Sequence, residues 1–363
     1  MDQNEMQPSL TERYYLPSVK KMRLFLTAFA ILFTFGVSEE LKEVSGTVLG
    51  FVFPTLYIIC GYLVLREDVD LEKRILRAIG RTAICFISLT VIYFLLSLAF
   101  EPAFTLAAVA TKRFWFDFIV MNVWNLPIGS TVWFVQALLY AYIAIFFLYK
   151  CKLLKFDIFF AVLFLAVTLL TGEFSSVVGF GFLWYGYFSG NFFTRALPYL
   201  LIGSFIHRKK EFFCSLRTGV YGAIAAVGVA LSIGEYYALA ATGHKVYTAH
   251  LFGMGLVAVA LSLVILYMRD DGVRIELLRE LSRFEFGIPY FVCAPVYYFL
   301  CRIAQDGGEP LAFLRTFAGP LTMLISVALF FLYALLRYFV FIIRHRNDIP
   351  ERTLIGADDE PKK

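Results

Sequence analysis

Arg74, Arg77 and Arg81 recur within LEKRILRAIGR, residues 71–81. On a helix they fall at about 0°, 300° and 340°, so all three face one way. Guanidinium groups gathered on one face offer paired N–H donors to phosphate oxygens. The same arginines also fit the edge of a membrane span, with stems in lipid and heads in water. Arg23, flanked by Lys20 and Lys21, is open to both readings. HRKKE, residues 207–211, reads as a topology signal.

Other groups with chemical potential interrupt apolar stretches. Glu235 lies within LSIGEYYALA. An ionisable side chain inside a span is a functional candidate by default, although Glu235 also fits the outer end of its helix. The four histidines are His207, His244, His250 and His345. His207 and His345 sit in basic clusters and read as topology passengers. His250 opens an apolar run, so it is the better candidate base, against the reading of an ordinary interfacial histidine. Gln136 and Arg337 lie in apolar runs, where each can line a cavity, bond a neighbouring helix or, for Arg337, snorkel. FWFDFIVMNVWNLPIGS (114–130) and FLWYGYFSGNFFTR (182–195) mix aromatic and polar residues. Such a mixture suits a sugar ring and suits a membrane interface equally. Trp133, Gln136, Tyr185 and Asn191 are the candidate substrate-binding residues. The six cysteines form no CxxC and read as small packing residues, and no His or Cys cluster has metal spacing, so no metal is expected.

Lipid must position these groups. Sixty per cent of the 363 residues are hydrophobic and the mean hydropathy is +0.73, well above a soluble domain. Continuous apolar runs argue for helices over strands. The expected fold is all-α, a polytopic transmembrane bundle of about ten spans, near 22–38, 47–65, 82–100, 131–149, 157–171, 196–206, 219–240, 250–268, 287–303 and 317–343. The fifth and sixth are short for a bilayer core of about 30 Å and are expected to borrow flanking aromatics such as Phe192 and Phe193. With the N-terminus inside, Lys and Arg divide 25 to 7 between inner and outer segments, and Arg337 completes the 33. That asymmetry predicts both termini in the cytoplasm. The net charge of +5 thus reflects topology, and no nucleic-acid partner is expected. The first 22 residues lack the pattern of a cleavable signal, so the first span is expected to be an uncleaved anchor.

Several stretches resemble the acyltransferase 3 family of polytopic membrane O-acyltransferases. VWFVQALLYAYI (132–143) is similar to its "WFL-x-ALL" span, and FPTLYIICGYL (53–63) to its "FF-x-ISG" span, with Cys60 where Ser is usual. LPYLLIGSFIHRKK (197–210) resembles "LPYFLLG", and FEFGIPYFVCAPVYYF (284–299) resembles "FGIYLLHP". Arg74-Ile-Leu-Arg77 matches its RxxR motif. The likeness runs in order from about 20 to 340. It implies a polar cytoplasmic N-terminus at 1–19, an acyltransferase-3-like transmembrane domain at 20–345 and a disordered cytoplasmic tail at 346–363.

The resemblance also implies an activity. An acyl group, acetyl in the simplest case, passes from acyl-CoA as co-substrate to a hydroxyl of a surface or lipid-linked glycan at the plasma membrane. The RxxR arginines and Arg23 would hold the CoA phosphates. The family's first span carries a basic residue and, eleven positions later, a histidine as base. Eleven residues rise about 16 Å and end about 20° past three full turns, so the pair shares a face. Here Arg23 plus eleven is Thr34, and no histidine lies in the first span. The "LLHP" histidine is missing too, with Cys293 and Ala294 preceding Pro295. Thr34 therefore marks the position of a missing base, and Glu235 and His250 are the candidate substitutes. The alternative is a catalytically inactive relative, a transporter or flippase of a glycan, lipid or acyl group.

Overall fold

The computed structural model describes residues 25–38, 48–65, 70–120, 126–171, 174, 192–241, 251–267, 288–308 and 311–344. Among these the chain is helical, with no strand. The long helices are α1 (Phe25–Phe35), α2 (Val52–Val64), α3 (Leu71–Phe100), α4 (Trp133–Lys150) and α5 (Asp157–Thr171), then α6 (Leu197–Arg208), α7 (Thr218–Ala241), α8 (Phe252–Tyr267), α9 (Ile288–Asp306) and α10 (Ala318–Arg344). Each falls on one of the ten apolar segments read from the sequence. By length and composition α3, α4, α7 and the apolar part of α10 can cross a membrane, and α1, α2 and α8 are shorter apolar helices.

Local chemistry sets the ends. Asp70 caps α3, accepting from the Lys73 backbone N–H at 3.3 Å and pairing with its ammonium at 2.9 Å. The Lys73 side chain holds the Asp70 carboxyl below its usual range. Glu72 in the first turn complements the helix dipole. The helix therefore starts at Leu71, eleven residues before the expected span. Its 30 residues run about 45 Å, and the arginine-bearing turns extend the apolar part. A short helical turn, Phe192–Arg195, stacks directly ahead of α6, so Phe192 and Phe193 do lengthen that short element.

α2 and α6 form the centre. They have 13 and 12 residues, about 20 and 18 Å long. Residues Leu197–Ser204 of α6 are buried without interruption. A helix apolar all round belongs inside a bundle. Small residues let the two helices cross closely: a Cβ on Gly61 would stand 2.1 Å from the Leu200 carbonyl oxygen, and one on Gly203 2.2 Å from that of Ile58. α4 and α5 pack on α6, and α8 packs on α2. α7 pairs with α8 through Gly228 and Gly253, and α9 pairs with α10. α3 lies outermost. Only 11 % of its apolar window is buried, against 44 % for α4, and Ile84, Ile87, Val91 and Leu95 face outward.

Pro295 lies inside α9. It has no N–H, so the Phe291 carbonyl one turn earlier loses its helical donor. The buried Tyr93 of α3 supplies its hydroxyl to that carbonyl. Gly129, at φ +104°, packs against the Tyr93 ring, where any Cβ would stand 2.1 Å from a ring carbon. One tyrosine thus ties together α3, the turn before α4 and α9 at its proline.

The crossing of α2 and α6 makes a direct test. Gly61→Ala is expected to lower the melting temperature of the purified protein, by overpacking worth about 1–3 kcal/mol. Gly80→Ala, where the added Cβ meets nothing within 4 Å, is expected to be neutral or stabilising by up to about 1 kcal/mol. Equal melting temperatures for Gly61→Ala and the parent would remove the close crossing as a determinant of the fold.

Candidate functional site

Thr34 lies near the end of α1. Its hydroxyl donates to the Ala30 carbonyl at 2.8 Å, one turn back, and stands 3.2 Å from the Tyr290 hydroxyl of α9. Tyr290 is fully buried. One turn further along α9 are the buried Cys293, its thiol on the Tyr290 carbonyl at 2.8 Å, and the buried Ala294. The two segments in which the sequence lacks an expected histidine therefore meet at a pair of neutral hydroxyls.

Aromatic rings surround the pair. Phe53 of α2 is the hub, with ring centroids 4.8 Å from Trp133, 5.2 Å from Phe33 and 5.8 Å from Tyr290. Tyr57 stacks on Phe134 at 4.8 Å. The Arg195 guanidinium stands 5.1 Å over Trp133, a cation on an aromatic face. Phe33, Phe53, Tyr57, Trp133, Arg195 and Tyr199 line a small, partly open cavity of about 20 Å³. That is room for about one water molecule. In this conformation the centre is filled by its own rings.

The other residues singled out by the sequence scatter. Gln136, one turn along α4 from Trp133, is buried and donates its amide to the Phe118 carbonyl and, at 3.5 Å, to Tyr140. It secures the π-helical turn Phe116–Val120 to α4. Glu235 accepts the Gly253 N–H at 3.1 Å, so its carboxylate caps the N-terminus of α8 from the neighbouring helix. Arg74 is half-buried, while Arg77 and Arg81 are exposed on the first turns of α3. Arg337 is exposed on α10. Arg23, His250, Tyr185 and Asn191 lie outside the described residues, as do His244, His345 and the two terminal segments. Among the described residues no three His, Cys, Asp or Glu side chains gather as a metal site.

Two polar clusters at the ends of helices escaped the sequence reading. Asp157, fully buried at the start of α5, pairs with Arg208 at the end of α6 and accepts the Ile158 N–H at 2.6 Å. Arg208 also donates to the Lys155 carbonyl at 3.1 Å. His207, read as a topology passenger, is buried, with its ring edge-to-face against Tyr62 at 4.9 Å. The three cations that follow it disguise one face of α6 as a solvent boundary. Asp157 was the available signal, a lone acid opening an apolar run. Nearby, Lys150 pairs with Glu72 at 2.6 Å, but both side chains are more than a third exposed.

The two ion pairs should behave differently. Arg208→Ala leaves the Asp157 carboxylate buried without its partner, and is expected to cost about 3–5 kcal/mol. Lys150→Ala removes an exposed pair, worth about 0–1 kcal/mol. Thermal unfolding in one detergent compares them. A smaller loss for Arg208→Ala than for Lys150→Ala would show that the Asp157 pair holds nothing together.

The chain matches no protein-family model, no curated protein and no solved structure.

Proposed function

We propose that the protein is an integral membrane O-acyltransferase of the acyltransferase 3 type. It crosses the plasma (inner) membrane ten times, with both termini in the cytoplasm. Acyl-CoA binds at the cytoplasmic face through Arg74, Arg77 and Arg81, with Arg23 beside them. The acyl group passes to a hydroxyl of a surface or lipid-linked glycan. The contact between Thr34 and Tyr290 is the observation that carries this reading. It joins the first span to the helix of Pro295, the two segments from which the resembled family draws its histidines.

The reaction needs more than proximity. The acceptor oxygen attacks the thioester carbonyl, the CoA thiolate leaves, and the hydroxyl proton must be removed. Neither Thr34 nor Tyr290 takes a proton at neutral pH. A positioned base contributes about 10²–10⁴-fold, so native transfer to water or simple sugars is slow. A second reading, a non-catalytic transporter or flippase of a glycan, lipid or acyl group, draws on the same contacts. The Thr34 hydroxyl bonds to Ala30 and Tyr290 and to no histidine, carboxylate or amine among the described residues.

Topology is tested by thiol labelling of intact cells with an impermeant reagent. Cysteine at Lys210 is expected to be shielded and cysteine at Lys245 to react. Labelling at Lys210 contradicts the cytoplasmic placement of both termini.

Chemistry is tested on purified protein. Replacing Arg74 and Arg77 with Ala is expected to weaken CoA binding tenfold or more per residue, at about 1.5–3 kcal/mol for each charged hydrogen bond. Thr34→His places an imidazole opposite Tyr290 and is expected to raise acetyl-CoA turnover, up to the 10²–10⁴-fold ceiling of about one general base. Robust turnover by the native protein would defeat the missing-base account. CoA binding without turnover, native or rescued, favours the transporter reading. CoA affinity unchanged by the double replacement removes the arginine patch from the site.

A further inference from the structure

A second hollow lies further along α9 from the hydroxyl pair, which does not itself line it. It opens between the end of α1, the second half of α9 and the start of α10, with a volume of about 190 Å³. Ser38, Tyr297, Cys301, Gln305, Arg315 and Thr316 supply its polar lining. The helix geometry ties it to Thr34. Phe35, the next residue, lines the cleft and stacks on Tyr297 at 4.3 Å. On α9, Tyr290, Tyr297 and Cys301 are spaced seven and eleven residues apart, so they form one stripe within about 20° either side of Tyr290. Tyr297 stands about 10 Å along the helix from the hydroxyl pair.

The floor of the cleft is fixed. Gly36, at φ +80°, presents its carbonyl to Gly319, where a Cβ would meet that oxygen at 1.8 Å. α1 and α10 are therefore in backbone contact beneath the lining. The opening is far larger than the ring-filled cavity at Trp133 and holds several water molecules or one small polar ring. Its chemistry is specific. Arg315 is the charged side chain of the lining among the described residues, and its guanidinium offers a fork of N–H donors suited to phosphate. Gln305, Ser38 and Thr316 can donate to and accept from hydroxyls. Phe35 and Tyr297 provide a rigid aromatic wall. Asp306, next in sequence to Gln305, is outside the lining and acts electrostatically on Arg302.

We infer that this cleft is a binding site for a phosphate-bearing sugar, oriented with a hydroxyl toward Thr34 and Tyr290. Arg315 takes the phosphate, and the hydroxyl and amide side chains take the ring. Calling that sugar the acceptor rests on the acyltransferase reading; the binding site itself does not. A phospholipid headgroup shares the combination of phosphate and hydroxyls, so the probes must separate the two sources.

The experiment uses the full-length protein in detergent. Equilibrium dialysis with labelled hexose 1-phosphate is compared with the uncharged methyl hexoside and with glycerol 3-phosphate. Hexose 1-phosphate is expected to bind at least tenfold tighter than either, and Arg315→Gln is expected to weaken it about tenfold. In the unaltered protein, hexose 1-phosphate is also expected to slow maleimide modification of Cys301, read by peptide mass spectrometry, while leaving the exposed Cys151 unaffected. Absence of hexose 1-phosphate binding overturns the inference. So does binding that neither Arg315→Gln weakens nor Cys301 protection reports. Preference for glycerol 3-phosphate assigns the cleft to phospholipid and overturns the sugar. Sugar-phosphate binding at Cys301 in a protein that fails to bind CoA would retire the acyltransferase reading and leave the site standing.

Discussion

The bundle is organised by the distance at which α2 and α6 cross. Gly61 and Gly203 leave no side chain between them, so backbone meets backbone at Leu200 and Ile58. In lipid, apolar side chains gain little by leaving their solvent, and helix association depends on close van der Waals contact. Two short helices held this way cannot each span a core of about 30 Å as straight cylinders. Longer helices must surround them, and they do. α4, α5 and α8 pack against this pair, and the largely exposed α3 packs mainly on α4. The shortness of the central pair also brings Arg195, just before α6, and Arg208, at its end, within about 20 Å of each other along the helix.

A second constraint places the candidate site. Buried backbone groups need partners, and Pro295 deprives one carbonyl of its own. Tyr93 answers that need from α3. Because the tyrosine ring also seats against Gly129, the start of α4 and its Trp133 are placed by the same residue. The hydroxyl pair, the aromatic hub and the proline are therefore one mechanical unit. Displacing α9 at Pro295 would move Tyr290 away from Thr34 and Phe53 together.

The helical segments were legible because each is an apolar run: among the described residues every one of the ten runs coincides with a helix, and four of those helices are long and apolar enough to cross a membrane. The boundaries of α3 were less so. Its first turns are rich in Arg and Lys, which hydropathy assigns to water although Leu, Glu, Lys and Arg are all good helix formers. Tertiary roles were harder to read. Glu235 looked functional because it is charged in an apolar run, yet it caps the N-terminus of α8. His207 looked ordinary because its neighbours are basic, yet its ring is buried against Tyr62. Tyr290 carried no signal at all, since one tyrosine among 21 is not distinguished by type. Its importance comes from a contact 256 positions away in sequence, which no local pattern encodes.

The chemical character of the centre follows from its two hydroxyls. An imidazolium in a ring-lined pocket would need a counter-charge or water, since an isolated buried charge is costly. Thr34 and Tyr290 need neither. Thr34 donates to its own helix, and the two hydroxyls satisfy each other. The pair therefore adds no charge to the ring cluster, in which the Arg195 guanidinium already stands over Trp133. A histidine-bearing centre must keep room for substrate and for solvation of the proton it moves, whereas a hydroxyl pair permits collapse. The two hollows differ in size, about 20 Å³ at Trp133 against about 190 Å³ beside Phe35. Arg315 and the hydroxyl and amide side chains of the cleft favour hydration there, as Arg195 does at the smaller pocket beside Trp133.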